Sequence, residues 1–300
     1  MSRWHRCFWV GSLVLWLGGC SVFFKTAKLP PAPAMPEMQQ SETPQISIDP
    51  DWWTLFNDPE LNQLQTHMAT GNLNMQLMAA RVRQAQATLA SAQSSVWPTA
   101  TLNTGVSRGQ AAGSHPSNSV SVTAPLSWEW DVWGRLDATV SSAQAGLQAS
   151  REDLALARLS AQASLVQTYV AIRAAEQQAA VLALAQTAYE RALQLTRYRY
   201  EAGVVSAADV AQAQLQVNST QAQLIDMNRN RIQLLHAVDV LLGQAPGQLQ
   251  LAPAASLPVV PPLPEMVPAS FLQRRPDVRA AQQRVLAAQA NAGAAQAAFF

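Results

Sequence analysis

The stretch Val120-Ser121-Val122-Thr123-Ala124-Pro125-Leu126-Ser127-Trp128-Glu129-Trp130-Asp131-Val132 decides how this chain is read. Val120, Val122, Ala124, Leu126, Trp128, Trp130 and Val132 hold one parity, and Ser121, Thr123, Ser127, Glu129 and Asp131 hold the other. Successive side chains of a strand point to opposite faces, so this period of two predicts a strand apolar on one side and wet on the other. Just upstream, Ala100, Leu102, Thr104 and Val106 alternate with Thr101, Asn103, Gly105 and Ser107, and a Gly/Ser/Pro-rich turn from Gly109 to Asn118 joins the two runs. A tryptophan-ended apolar face opposite a hydroxyl-and-acid face is what a membrane barrel strand requires, with lipid outside and water in the lumen. Two strands cannot close a barrel, and open edges are not tolerated in lipid, so further strands must complete it. Taken alone, the alternation fits a soluble hairpin packed on helices as well.

The flanks of this hairpin are helical. Asp58-Pro59-Glu60 sets an N-cap, a first-turn proline and an acid matched to the helix dipole in order. From there Leu61, Leu64, Met68, Gly71, Met75, Met78, Val82, Ala85, Leu89, Ala92 and Val96 recur at spacings of three and four, interrupted only at Gly71-Asn72. That 3.5-residue period is a coiled-coil seam. Downstream, Leu136 to Tyr200 contains no proline, and its roughly 65 residues would reach on the order of 100 Å as one helix. Apolar rows on more than one side place this rod within a wall of neighbouring helices. Glu201-Ala202-Gly203-Val204-Val205 breaks it, Ser206 and Asp209 form a capping box, and a second arm runs back to Gly243. On that arm Arg231 falls on the seam, where its stem is expected to lie with the head in water.

The first residues read as an address. A basic start (Arg3, His5, Arg6), an apolar run from Phe8 to Leu17 and the tetrapeptide Leu17-Gly18-Gly19-Cys20 form a secretory signal ending in a lipobox-like site. Cleavage before Cys20 would leave a cysteine to carry lipid, removing Cys7 and taking the net charge from +1 to −1. A proline-rich tether follows to Pro50.

Composition excludes several function classes. With 20 basic against 19 acidic residues there is no field to attract phosphate backbones, so no nucleic-acid partner is expected. His5, His67, His115 and His236 have no metal-ligand spacing, and no phosphate loop or nucleophile elbow occurs. No enzyme activity and no cofactor are expected beyond covalent lipid on Cys20.

A repeat also begins. Setting Arg81-Val82 on Arg284-Val285, a shift of 203 residues, brings Ala85, Gln86, Ala87, Ala92 and Gln93 onto Ala288, Gln289, Ala290, Ala295 and Gln296. The unit of helix, hairpin, long helix and returning helix is therefore expected to be duplicated, with the second copy incomplete.

Five motifs in order carry a resemblance: the lipobox; Trp53-x-x-Phe56-x-Asp58-Pro59-x-Leu61; Trp128-x-x-Asp131-x-x-Gly134-Arg135; Tyr200-x-x-Gly203-x-x-Ser206-x-x-Asp209-Val210; and Arg274-Arg275-Pro276-Asp277-Val278. Together they resemble the TolC-like outer-membrane efflux lipoproteins of the NodT/OprM type, over nearly the whole mature chain. The resemblance implies a mainly α fold with a membrane β-hairpin: long antiparallel coiled-coil helices, and strands contributing to a trimeric, TolC-like α/β-barrel. It further implies a homotrimer that joins a periplasmic adaptor protein and an inner-membrane RND or similar transporter, and a passive duct for drugs or other small solutes. A lipid-anchored periplasmic scaffold without a pore, and a duct for type I protein secretion, are the alternatives.

The resulting segments are a signal peptide (1–19), an anchored tether (20–50), a first helical segment (51–98), the outer-membrane hairpin (99–134), a long periplasmic helical hairpin (135–243), a proline-rich connector (244–270) and the start of a second repeat (271–300). The resemblance makes Cys20 the lipidation site and puts Gly203, Val204, Val205 and Ser206 at the tip that contacts the adaptor. Ser121, Thr123, Ser127, Glu129 and Asp131 are expected to face the lumen, and Val120, Val122, Leu126, Trp128 and Trp130 to face outer-membrane lipid.

Overall fold

A computed structural model describes residues 51–110, 113, 115–254, 257–259 and 269–300. The signal peptide, Cys20, the tether, and parts of the strand-joining turn and the connector lie outside the described residues.

After a short 3-10 turn at Trp52–Phe56, helix α1 spans Pro59–Gly71 and α2 spans Leu73–Ser94. The Asp58 carboxylate caps α1 by accepting from the backbone N–H groups of Glu60 (2.9 Å) and Leu61 (3.1 Å), as the sequence predicts. The break in the seam at Gly71-Asn72 has a steric cause. The chain there crosses the end of helix α4 (Ala207–Leu242) so closely that a Cβ at Gly71 would lie 2.2 Å from the Leu242 carbonyl oxygen. Asn72 fixes the crossing: its amide donates to the Leu241 carbonyl at 2.8 Å, while its carbonyl oxygen caps α2 through the Met75 N–H.

The strands are β1 (Thr99–Ala100), β2 (Asn103–Gly109), β3 (Ser117–Thr123) and β4 (Leu126–Ser127). They form one antiparallel ribbon in a single register, Thr99 opposite Ser127 and Asn103 opposite Thr123. Helix α3 then runs from Arg135 to Glu201, 67 residues without a break. A turn returns the chain into α4, and α5 (Pro276–Ala297) follows the connector.

The N-terminal half of α3 is sandwiched between α2 and α5, and its C-terminal half runs beside α4. The apolar core sits where α1, the middle of α3 and the end of α4 meet: Leu61, Leu64, Met68, Leu165, Tyr169, Ile172, Val238 and Leu242. Trp52, Trp53 and Phe56 close it from outside. The apolar rows on two sides of the rod are thus explained by two partners along its first half.

Candidate functional site

Two places gather residues singled out in the sequence, the ribbon and the helical tip, and a third lies at the junction between them.

In the ribbon, cross-strand partners share a face. The register pairs Ala100 with Leu126, Thr104 with Val122 and Val106 with Val120, so the apolar parity of both strands lies on one side. The opposite side carries Asn103 against Thr123, Gly105 against Ser121 and Ser107 against Ser119, with the Ser107 and Ser119 hydroxyls 2.7 Å apart. Every residue of the four strands is exposed, Val106 by 82%. Among the described residues nothing covers either face.

The strand does not continue through the tryptophans as the alternation suggests. It stops at Ser127, because in this register position 128 faces Pro98, which has no N–H to extend the ladder. Trp128, Glu129, Trp130 and Asp131 therefore lie outside the strand, a correction to their expected place in it. The Trp128 indole N–H donates instead to the Val96 carbonyl (3.1 Å), and its ring meets Trp130 edge-on at 5.4 Å. Glu129 accepts two hydrogen bonds from Arg135 Nη2, at 2.7 and 2.8 Å. Asp131 accepts from the backbone N–H groups of Leu136 (3.0 Å) and Asp137 (2.8 Å), and so caps the long helix. Both acids have structural partners that the sequence did not announce.

At the opposite end of α3, Gly203 takes φ 72°, a left-handed conformation that favours glycine. The Val204 N–H then reaches the Arg199 carbonyl at 2.8 Å, and Val204 itself stands exposed. The Ser206 and Asp209 side chains complete the capping box, and the hydrogen bonds from the Ser206 hydroxyl and N–H hold the Asp209 carboxyl below its ordinary value. Between the two arms lies an open cleft of about 440 Å³ whose lining includes Tyr189, Thr196, Arg199, Val205 and Asp209. The structure thus brings Val205 and Asp209 to one groove.

The junction was not foreseen. Arg173, 2% exposed, donates through Nη1 to Glu176 (2.8 Å) and to the Ala252 carbonyl (2.7 Å), and through Nη2 to Glu60. Arg231 does not hold its head in water: its Nε donates to the second Glu176 oxygen at 2.8 Å, and its Nη2 donates to the Leu251 carbonyl at 2.8 Å. The Ala254 N–H also donates to Glu176, at 3.1 Å, and the Tyr169 hydroxyl donates to Asp58 at 2.6 Å. Burial alone would raise the Glu176 carboxyl, but the hydrogen bonds from Arg173, Ala254 and Arg231 outweigh it and hold the carboxyl below its ordinary value. One carboxylate thereby ties α3, α4 and the connector together. The only sequence signal was a charged pair at i, i+3 inside an otherwise apolar row.

Among the described residues no helix is long and apolar enough to cross a membrane, and no group of three or more His, Cys, Asp or Glu could hold a metal ion.

Residues 67–244 match the family model described as outer membrane efflux protein. The chain belongs to that family. Among its relatives, the toluene efflux pump outer membrane protein TtgF of Pseudomonas putida is 29% identical over 304 residues, covering 95% of this chain and 63% of the relative. The pyoverdine export outer membrane protein OpmQ of Pseudomonas aeruginosa is 30% identical over 263 residues, covering 83% of this chain and 55% of that protein. Among solved structures, the outer-membrane channel OprN superposes with a TM-score of 0.73 at 31% identity, covering 83% of this chain and 58% of that one. The chain thus spans just over half the length of these relatives. It shares the TolC-like channel fold, and its family resides in the outer membrane of Gram-negative bacteria.

Proposed function

We propose that the protein is the outer-membrane channel component of a tripartite efflux pump, a passive duct through which drugs or other small solutes leave the cell. The observation that carries this reading is the ribbon register: one face holds Ala100, Val106, Val120, Val122 and Leu126, with Thr104 among them and the Arg108–Asn118 pair ending it beside the turn, while the other holds Asn103, Ser107, Ser119, Ser121 and Thr123. From Thr99 to Gly109 the ribbon extends about 36 Å at 3.3 Å per residue, long enough when tilted to cross an apolar band of about 25 Å. A ribbon this exposed is incomplete by itself; strands from other copies in a homotrimer would supply the rest of the barrel.

In this reading Val120, Val122 and Leu126 face lipid, with Trp128 and Trp130 at the headgroup level where tryptophan rings accumulate. Ser121, Thr123 and Ser127 face the lumen, with Glu129 and Asp131 at its inner rim. Helix α3 extends on the order of 100 Å into the periplasm, with the shorter α4 returning along its far half, and Gly203, Val204, Val205 and Ser206 meet the periplasmic adaptor, which links the duct to an inner-membrane RND or similar transporter. In this reading the transporter supplies the energy. Covalent lipid on Cys20 anchors the assembly; Cys20→Ser is expected to abolish lipid labelling, and unchanged labelling would refute the anchor.

The function is tested in cells that lack their own outer-membrane efflux component. Expression with a compatible adaptor and transporter should restore drug efflux, and Gly203→Val should remove the restoration while leaving the protein in the membrane fraction. Assembly in the membrane with no efflux in any pairing would favour a scaffold without a pore.

A further inference from the structure

The two ends of the ribbon carry opposite charge. At the end nearest α3, the acids Glu129, Asp131 and Asp137 stand against one base, Arg135. From Thr99 to Trp128, by contrast, there is no Asp or Glu, and the only ionisable side chains are Arg108 and His115, both exposed and both at the turn end. No carboxylate of the ribbon is therefore available to pair with Arg108.

The parity of Arg108 says more than its charge. It lies opposite Asn118 in the register that sets Val106 opposite Val120 and Thr104 opposite Val122, so it ends the apolar face and not the hydroxyl face. A guanidinium meant for a water-filled lumen would stand at 107 or 109, which are Ser107 and Gly109. Its height is equally specific. Pro98, beside Trp128, is ten positions from Arg108; at 3.3 Å per residue that is about 33 Å, which on a strand tilted by about 40° rises about 25 Å, the height of the apolar band of a membrane barrel. With the tryptophans at one headgroup level, Arg108 and Asn118 stand at the other.

A cation on a lipid-facing side is costly at the midplane and tolerated at the interface, where headgroups can meet it. A guanidinium offers a planar fork of N–H donors that matches two oxygens of one phosphate. The Asn118 amide, directly across the strand pair on the same face, adds further donors. We infer that Arg108 and Asn118 bind the phosphate group of a membrane lipid, in the leaflet away from the helical body, with its acyl chains lying along Val106, Val120 and Val122. The inference rests on the ribbon being embedded in the membrane, and it adds the headgroup chemistry that the ribbon selects.

The test uses the full chain reconstituted in phosphatidylcholine vesicles that contain phosphatidic acid as the probe. Protein re-extracted in mild detergent is weighed by native mass spectrometry, which counts the phosphatidic acid retained relative to phosphatidylcholine. Phosphatidic acid should be enriched, and Arg108→Gln should cut the enrichment about fivefold. Arg83→Gln, which removes an exposed charge from α2, should leave it intact. Inorganic phosphate in excess, having no acyl chains to lay on the valines, should not displace the lipid. Enrichment that is untouched by Arg108→Gln, lowered equally by Arg83→Gln, or abolished by inorganic phosphate overturns the inference. A fluorescent label on Val122→Cys in the same vesicles separates the two readings. Quenching of that label from within the bilayer, together with enrichment indifferent to Arg108, sinks the lipid site and leaves the embedded ribbon standing; a label that bilayer quenchers do not reach sinks both.

Discussion

At the junction around Arg173 the chain buries a guanidinium at 2% exposure among partners from α1, α3 and the connector, whereas along the ribbon around Val122 every strand residue is open. The junction draws its partners from within one chain: each charge meets an opposite charge, a hydroxyl or a backbone group, with only the Arg173 Nε left without a hydrogen-bond partner among these charged groups, and an apolar cluster surrounds them. The ribbon satisfies its backbone across one strand pair and leaves both faces and both edges open. A surface that spends no side chain on its own core is shaped for an environment supplied from outside, here lipid on one face, water on the other and further strands at the edges.

The sharpest way to test the contrast is to injure each region in turn. Arg173→Met leaves Glu176 buried with one fewer cation, and it should lower the unfolding free energy of the helical body by about 3–5 kcal/mol, read from denaturant melts followed by circular dichroism. Val122→Ser should leave that melt within about 0.5 kcal/mol of the parent and reduce membrane retention instead. Equal shifts from the two changes would erase the distinction.

A smaller loss is expected at Gly71→Ala. The new methyl group would collide with the Leu242 carbonyl, and forcing the crossing apart should cost about 1–3 kcal/mol in the same melt. Asp58→Ala removes the α1 cap and the acceptor for Tyr169, for a loss of about 1 kcal/mol from the cap.

The smallest effect appears only in acid. Because the folded Glu176 carboxyl sits below its ordinary 4.5, its stabilisation is fully present above that pH and fades as the pH falls through the lower folded value. Glu176→Gln has no such titration, so its stability should fall less steeply with pH below 4.5. An unchanged slope would mean that the carboxylate does not link the connector to the wall.

The ribbon and the long helices were legible in the sequence because their signals are local. Alternation at 120–126 gives the strand, the spacing of Met75, Val82 and Leu89 gives the seam, and Asp58-Pro59 and Ser206–Asp209 give helix starts that the structure repeats. Gly203 was readable as a turn for the same reason. What stayed hidden depends on residues distant in the chain. The strand end at Ser127 follows from the pairing register that sets position 128 against Pro98, so alternation alone ran past it. The pairing of Arg231 with Glu176 joins positions 55 residues apart, and no periodicity reports it.

The central claim is that the ribbon is greased on one face and wet on the other, and single-cysteine labelling through it in the assembled, membrane-embedded protein tests this most directly. Probes at Val120, Val122 and Leu126 should be quenched from within the bilayer and shielded from water-soluble quenchers, while probes at Ser121, Thr123 and Ser127 should show the reverse. Equal access of water-soluble quenchers to both sets would contradict the account.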